Sequence, residues 1–269
     1  MKDKKAVLVV SFGTSYRETR EKTIEAIEAD IRNALPEYEF RRAFTSPTIR
    51  RILKNRDGIE VDDVAGALGK LSAEGYRSVI LQPTHVIRGF EYDAVIETAA
   101  EFRNRFDQLR CGDALLTCEE DYLDTAQAMI RELEAYRSGD TAFLLMGHGT
   151  EHAANVSYQK LQQVFQNLGR PDILISTVEA PGQLDELIDT IRKRGTTKVV
   201  LSPLMVVAGD HALHDMAGES PDSWKSRLKQ AGFSVTCRIH GLGEDASIRS
   251  IYVKHCLINR KPFDRNFII

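Results

Sequence analysis

Little in this chain would tie it together covalently or hold it in a membrane. Its 269 residues include only four cysteines. Cys111, Cys118, Cys237 and Cys256 form neither a Cys-x-x-Cys pair nor a zinc-ribbon spacing, so reduced thiols without a metal role are expected. Apolar runs are short as well. Residues 6–10 and 199–201 fall far below the roughly 20 residues that a membrane helix needs, and no span is expected. The start, Met-Lys-Asp-Lys-Lys, passes directly into a strand-like run without the apolar segment of a secretory signal, which predicts a cytoplasmic protein. An excess of one charge is also missing. Thirty-six basic against thirty-nine acidic side chains leave a net charge of -3, which argues against a general nucleic-acid or membrane-surface binder. Glycine after the first strand is too sparse for a nucleotide fingerprint. Neither Ser11 nor Ser46 has a nucleophile-elbow pattern around it. What is present is a globular composition, 42% hydrophobic and 28% charged, with enough chain for one large or two small domains.

Short β-branched runs alternate with longer amphipathic ones, the pattern of βαβ units around a parallel sheet. After the first run, Ile24, Ile27, Ile31 and Leu35 recur at spacings of three and four, a helix stripe that Pro36 ends. A strand is predicted over 39–44, and Ser46-Pro47 reads as a cap followed by proline in the first turn. Val64, Leu68 and Leu71 mark another helix, 78–82 a strand, and Val95, Ala99, Phe102 and Phe106 a further helix face. The alternation then begins again. Val79, Leu81, Pro83, Val86 and Gly89 coincide with Val199, Leu201, Pro203, Val206 and Gly209 at a constant offset of 120. Phe12-Gly13-Thr14 matches His148-Gly149-Thr150 at an offset of 136, so the first half carries about sixteen extra residues, expected mainly in 47–60. The fold class predicted is α/β, with two similar Rossmann-like halves, 1–125 and 126–269, each on a parallel sheet. A ligand cleft is expected between them where strand C-terminal ends meet.

Three candidate ligands follow strand signals in the second half. His148 lies in Met-Gly-His-Gly-Thr, between glycines that let the backbone turn and expose the imidazole. Glu179 ends the next strand, and His211 follows the Gly-Asp turn after the third. In a parallel sheet these ends converge on one edge, giving a His₂Glu set with open positions. Imidazole and carboxylate without thiolate suit divalent cobalt, nickel, iron or zinc. The aligned positions of the first half are Phe12, Thr45 and Glu91, so one half is expected to hold metal and the other a substrate. His214 shares a helix face with His211 but lies further from the sheet edge.

Taken together, Leu8-Val-Val-Ser-Phe-Gly-Thr-Ser15, Arg42-Ala-Phe-Thr-Ser46, His85 with Gly89-Phe-Glu-Tyr92, Gly147-His-Gly149, Val178-Glu179 and Pro203-Leu-Met-Val-Val-Ala-Gly-Asp-His211 form an ordered set. Asp215-Met216, Asp222-Ser-Trp-Lys225 and Gly241-Leu-Gly-Glu244 continue it. The chain thereby resembles the class II chelatases of tetrapyrrole metabolism, most closely the sirohydrochlorin cobaltochelatases of anaerobic cobalamin synthesis. The resemblance implies insertion of Co²⁺, as substrate metal, into sirohydrochlorin or precorrin-2, with no organic cofactor. It carries the metal-site roles onto His148, Glu179 and His211 and places His85 among the substrate-binding residues. Nickel or iron insertion into the same ring, or a cytosolic carrier of metal or tetrapyrrole without turnover, are the alternatives. A homo-oligomer is left open.

Insertion requires that pyrrole protons leave as the ion enters. His148 is the expected metal ligand and proton acceptor, and Glu91 a second proton acceptor or metal-entry ligand. The ring is an octacarboxylate, so local cations are expected to bind it. Arg41, Arg42, Arg50, Arg51, Lys54 and Arg56 lie in a stretch without acids, and Arg50, Arg51 and Lys54 are the candidates. Ser11, Phe12, Gly13 and Thr14, read as the start of the first long helix, are a second anion site by the helix-terminus rule.

Overall fold

A computed structural model describes residues 4–179 and 183–258. Among the described residues, eight strands form two four-stranded, wholly parallel sheets. The first contains β1 (Lys5–Ser11), β2 (Glu39–Phe44), β3 (Ser78–Pro83) and β4 (Gln108–Cys111) in the order β2-β1-β3-β4. The second contains β5 (Thr141–Gly147), β6 (Ile173–Thr177), β7 (Lys198–Pro203) and β8 (Ser234–Cys237) in the order β6-β5-β7-β8.

The central strands explain the order. Six of the seven residues of β1 and all seven of β5 are buried, the continuous apolar run of a strand covered by helices on both faces. On one face of the first sheet, Ala6, Leu8 and Val10 pack against Leu68 and Leu71 of helix Val64–Ala73 and Val95 and Ala99 of helix Phe90–Glu101. In the second, Ala142, Leu144 and Met146 meet Leu184, Ile188 and Ile191 of helix Gln183–Lys193. Ile24, Ile27 and Ile31 are fully buried on helix Ile24–Ala34, with Leu35 its C-cap. Ser46 caps helix Pro47–Ile52 by accepting a bond from the Ile49 N–H at 3.3 Å. Phe106 departs from the predicted stripe: helix Phe90–Glu101 ends before it, and its ring is buried from extended backbone instead.

Register makes the repeat exact in residue terms. Lys5 pairs with Ser78 as Thr141 pairs with Lys198, which restates both offsets, 136 and 120. Val7 opposite Phe40 corresponds to Phe143 opposite Ile173, so β2 and β6 are related by 133. Of the sixteen extra residues of the first half, three therefore lie between β1 and β2 and thirteen between β2 and β3. The thirteen accommodate the added helix Pro47–Ile52 and the π-helical turn Leu53–Asp57 that extends it.

The compact units divide at Thr117 and Cys118, and the chain from Arg249 on belongs with the first unit. This differs from the expected halves 1–125 and 126–269, whose residues 1–3, 180–182 and 259–269 lie outside the described ones. The reason is the last helix, Ala246–Leu257. Its fully buried Tyr252 donates to the Thr84 carbonyl at 3.0 Å, His255 Nδ1 lies 3.3 Å from the Asp113 carbonyl, and Arg249 bonds Asp30 at 2.6 Å. Helical periodicity does not reveal to which sheet a terminal helix returns.

Candidate active site

His148 leaves the sheet one residue after β5, and both flanking glycines are needed there. A Cβ on Gly147 would lie 2.5 Å from the Tyr158 ring. Gly149 has φ 87°, and a Cβ on it would meet Thr177 at 2.8 Å. The turn is thus pressed against the end of β6, where the Val178 N–H donates to the Gly147 carbonyl at 3.0 Å and the Glu179 N–H to the His148 carbonyl at 3.1 Å. Tyr158 supports the turn from below: burial pushes its phenol upward, against the pull of backbone groups of Gly149 and His148 that bond it.

Within the second unit, the ring centroids of His148 and His211 are 4.9 Å apart in an edge-to-face contact of 82°. His148 Nδ1 lies 3.0 Å from the Gly149 carbonyl, which can only accept, so Nδ1 carries a proton and the lone pair of the neutral ring falls on Nε2. His211 Nδ1 lies 2.6 Å from an Asp215 carboxylate oxygen, with the same consequence for its Nε2. The Glu179 carboxylate lies 3.7 Å from His148 Nδ1. The three predicted ligands are neighbours, although among the described residues no three such side chains are drawn tightly enough to enclose an ion as they stand. His214 does not join them; it pairs with Asp210 at 3.4 Å and is two-thirds exposed.

In the first unit, hydrogen bonding corrects one equivalence. The Ser46 N–H donates to the Phe12 carbonyl as that of Glu179 does to His148, so the counterpart of Glu179 is Ser46, not Thr45. The 133-residue offset of β2, hidden in sequence by the insertions around it, is the cause. Phe12, Ser46, Pro47, Val64, Glu91 and Val95 line a cavity of about 550 Å³ at this sheet edge. Phe12 is nearly half exposed. His85 is unusual: its side chain is 8% exposed, and among the described residues neither ring nitrogen has a hydrogen-bond partner. Burial lowers its pKa from 6.5 to about 4, which keeps the ring neutral. Its Nε2 faces the Glu91 carboxylate at 4.0 Å.

Two expected anion sites look different in space. Ser11 is buried and its hydroxyl accepts from Thr84 at 2.8 Å, while buried Thr14 accepts from the Tyr16 N–H at 3.2 Å. Gly13, with φ 101°, lets the turn pass over the Phe44 ring, where a Cβ would come within 2.8 Å. The helix beyond starts only at Arg17 and runs for six residues, so 11–14 is not a helix terminus, and of these residues Phe12 alone presents its side chain outward. The basic stretch, free of acids in sequence, meets them from elsewhere. Arg41 bonds Glu74 at 2.9 Å, Arg42 bonds Glu28 at 2.7 Å, Arg50 lies 3.3 Å from Asp63, Lys54 2.8 Å from Glu60, and Arg56 2.8 Å from Asp57. Arg51 is exposed and, of these six, alone has no ion pair among the described residues. Sequence reasoning missed Tyr158, which carries no local signal, and Asp215, whose spacing of four from His211 on a helix was readable.

Paired imidazoles beside a carboxylate at one strand edge, repeated as an apolar cavity at the matching edge, define a two-unit α/β protein of the chelatase type. The fold is shared with the sirohydrochlorin chelatase SirB from Bacillus subtilis subspecies spizizenii in complex with cobalt, with a TM-score of 0.64, 10% identity and 94% of each chain covered. The chain matches the cobalt chelatase (CbiK) family over residues 5–259 and belongs to it. It is 42% identical over 252 residues to the sirohydrochlorin cobaltochelatase of Salmonella typhimurium strain LT2, covering 94% of this chain and 95% of that one. It is 35% identical over 254 residues to the sirohydrochlorin cobaltochelatase CbiKC of Nitratidesulfovibrio vulgaris strain Hildenborough, covering 94% and 89%. No described helix is long and apolar enough to cross a membrane.

Proposed function

We propose that this chain inserts Co²⁺ into sirohydrochlorin, with the second unit holding the ion and the first taking the macrocycle. The observation that carries this reading is the contact of His148 and His211 at 4.9 Å with both Nδ1 atoms already committed, which leaves two Nε2 lone pairs for one cation. Glu179, half exposed, supplies a third ligand by a side-chain rotation. Mixed N/O ligation of this kind leaves positions open for the incoming ring nitrogens.

Charge and protons balance simply. The metal-free ring carries two pyrrole N–H groups, and each proton must leave as the divalent ion takes its place. His148 Nε2, once the ion has gone from it, accepts one proton; Glu91 accepts the other. The neighbouring His85, neutral and dry, adds no positive charge that would hold the Glu91 carboxylate in its ionised form. Phe12 and the cavity beside it offer an apolar face to a flat ring. Arg51 offers a cation to its acidic rim. Lys54 joins it by exchanging its carboxylate partner, since exposed ion pairs are worth only about 0–1 kcal/mol, and Arg50, a quarter exposed beside Asp63, lies one turn away.

The test is the absorbance change on mixing the protein with Co²⁺ and sirohydrochlorin. Catalysed appearance of the cobalt–ring spectrum is expected. A rate at the uncatalysed level with both ligands bound would make the protein a carrier, and faster insertion of Ni²⁺ or Fe²⁺ would reassign the metal.

A further inference from the structure

We infer that Asp215 is a positioning residue for the metal: its carboxylate fixes His211 with Nδ1 protonated and Nε2 bare, and makes His211 the firmer of the two imidazole ligands. The inference rests on the proposed metal site and assigns a role to a residue outside it.

The contact is direct, Asp215 Oδ2 to His211 Nδ1 at 2.6 Å, between residues four apart on one turn. How the fold makes it available is seen by comparison with the first unit. At the offset of 120, His211 corresponds to Glu91 and Asp215 to Val95, which is 1% exposed in the core beneath helix Phe90–Glu101. The regular helix there buries Tyr92, Val95 and Ala99, at spacings of three and four. In the second unit the turn Ala212–Met216 is π-helical, closed by the Ala217 N–H on the Ala212 carbonyl, and the buried residues are Ala212 and Met216. The wider turn moves the second core position from 215 to 216. Residue 215 is released from the core, and an aspartate there turns to the imidazole at 211. Single π turns of this kind recur at functional sites, and this one has a definite product.

The chemistry separates the two imidazoles. His148 Nδ1 donates to a neutral carbonyl, that of Gly149. His211 Nδ1 donates to a carboxylate, which raises the electron density on Nε2 and strengthens its hold on a divalent ion. Transfer to the ring then begins at the His148 bond, leaving the ion last on His211.

Asp215 is about half exposed, so Asp215→Ala and Asp215→Asn are expected to fold. Two measurements are made on the whole protein without tetrapyrrole: equilibrium titration with Co²⁺ alone, and ¹⁵N chemical shifts of the His211 ring, which distinguish the tautomers. Asp215→Ala is expected to lose the Nδ1–H signature of His211 and to weaken Co²⁺ binding about 10–100-fold. Asp215→Asn, whose amide oxygen still accepts, is expected to keep the tautomer and to lose less affinity. An unchanged His211 tautomer in Asp215→Ala overturns the inference, whether Co²⁺ affinity is retained or is lost outright, the latter making Asp215 a direct ligand. Equal Co²⁺ affinity in wild type and His211→Ala would instead overturn the metal site itself, and the tautomer measurement still decides the Asp215 contact.

Discussion

The two units share strand order, register and the same amide-to-carbonyl bonds where their strands end, yet the side chains that leave those ends belong to different chemistries. Phe12, Ser46 and Glu91 stand in the first where His148, Glu179 and His211 stand in the second. The backbone frame is set by buried strands and helix stripes that both units obey. The two units differ at three strand-end positions and one widened helical turn, and the proposed function rests on these. A repeat can therefore keep its frame while its two copies carry different side chains at matching positions, those proposed to hold metal in one and an acidic-rimmed ring in the other.

Giving the second unit the first unit's residues breaks this asymmetry one position at a time. His148→Phe, which installs the residue of the first unit at a half-exposed site, is expected to leave the fold unchanged and to lower insertion by about 10²–10⁴-fold, the usual worth of a proton-transfer group. Stopped-flow absorbance reads the rate, and near wild-type insertion would remove His148 from the chemistry. His211→Glu, the equivalent of Glu91, keeps a ligand atom but sets it beside Asp215. Co²⁺ affinity should fall roughly tenfold, about 1.4 kcal/mol. His214→Ala should change neither affinity nor rate, and a loss there equal to that of His211→Glu would move the ion outward along the helix.

The reverse exchange sharpens the first unit. His85 corresponds to Met205 at the offset of 120, so His85→Met removes a buried imidazole in favour of the apolar side chain of the other unit. Because the folded pKa of His85 is lowered, the unfolded chain binds the proton first as pH falls. The stability associated with neutral His85 is therefore complete above 6.5 and lost as the pH falls toward about 4. Urea denaturation at pH 7.5 and 5 should show about 2 kcal/mol less acid sensitivity in His85→Met than in wild type. Equal sensitivity would mean that the ring is hydrated or paired in solution. A small effect on substrate binding is expected at Arg51, on helix Pro47–Ile52, which has no counterpart in the second unit among the described residues. Arg51→Glu should raise KM for sirohydrochlorin roughly two- to fivefold, more at low salt, with kcat unchanged. An unchanged KM at low salt would return Arg51 to the solvated surface.

What was legible in the sequence follows from what constrains it. Residues 78–89 and 198–209 align without gaps because a central buried strand and the turn after it tolerate no insertion, and the sheet register repeats the offset found there. The three candidate ligand positions come from the same pattern: each follows a strand that the alternation reveals. Sequence alignment points to Thr45 rather than Ser46 because the insertions on either side of β2 hide its own offset. The cations of 41–56 looked unpaired because their partners, Glu28, Glu60, Asp63 and Glu74, come from other turns and elements, and contacts across a fold leave no local pattern. The π-helical turn at 212–216 was equally invisible, since His211 and Asp215 have the spacing of any α-helix.

In the proposed function the ion belongs to the second unit. Paramagnetic NMR on protein carrying ¹⁵N-labelled histidine, titrated with Co²⁺ alone, reads this directly from the seven histidines of the chain. The resonances of His148 and His211 are expected to broaden or shift first and together, while that of His85 is unaffected. Early broadening centred on His85, with His148 and His211 unperturbed, would instead place the ion in the first unit beside Glu91.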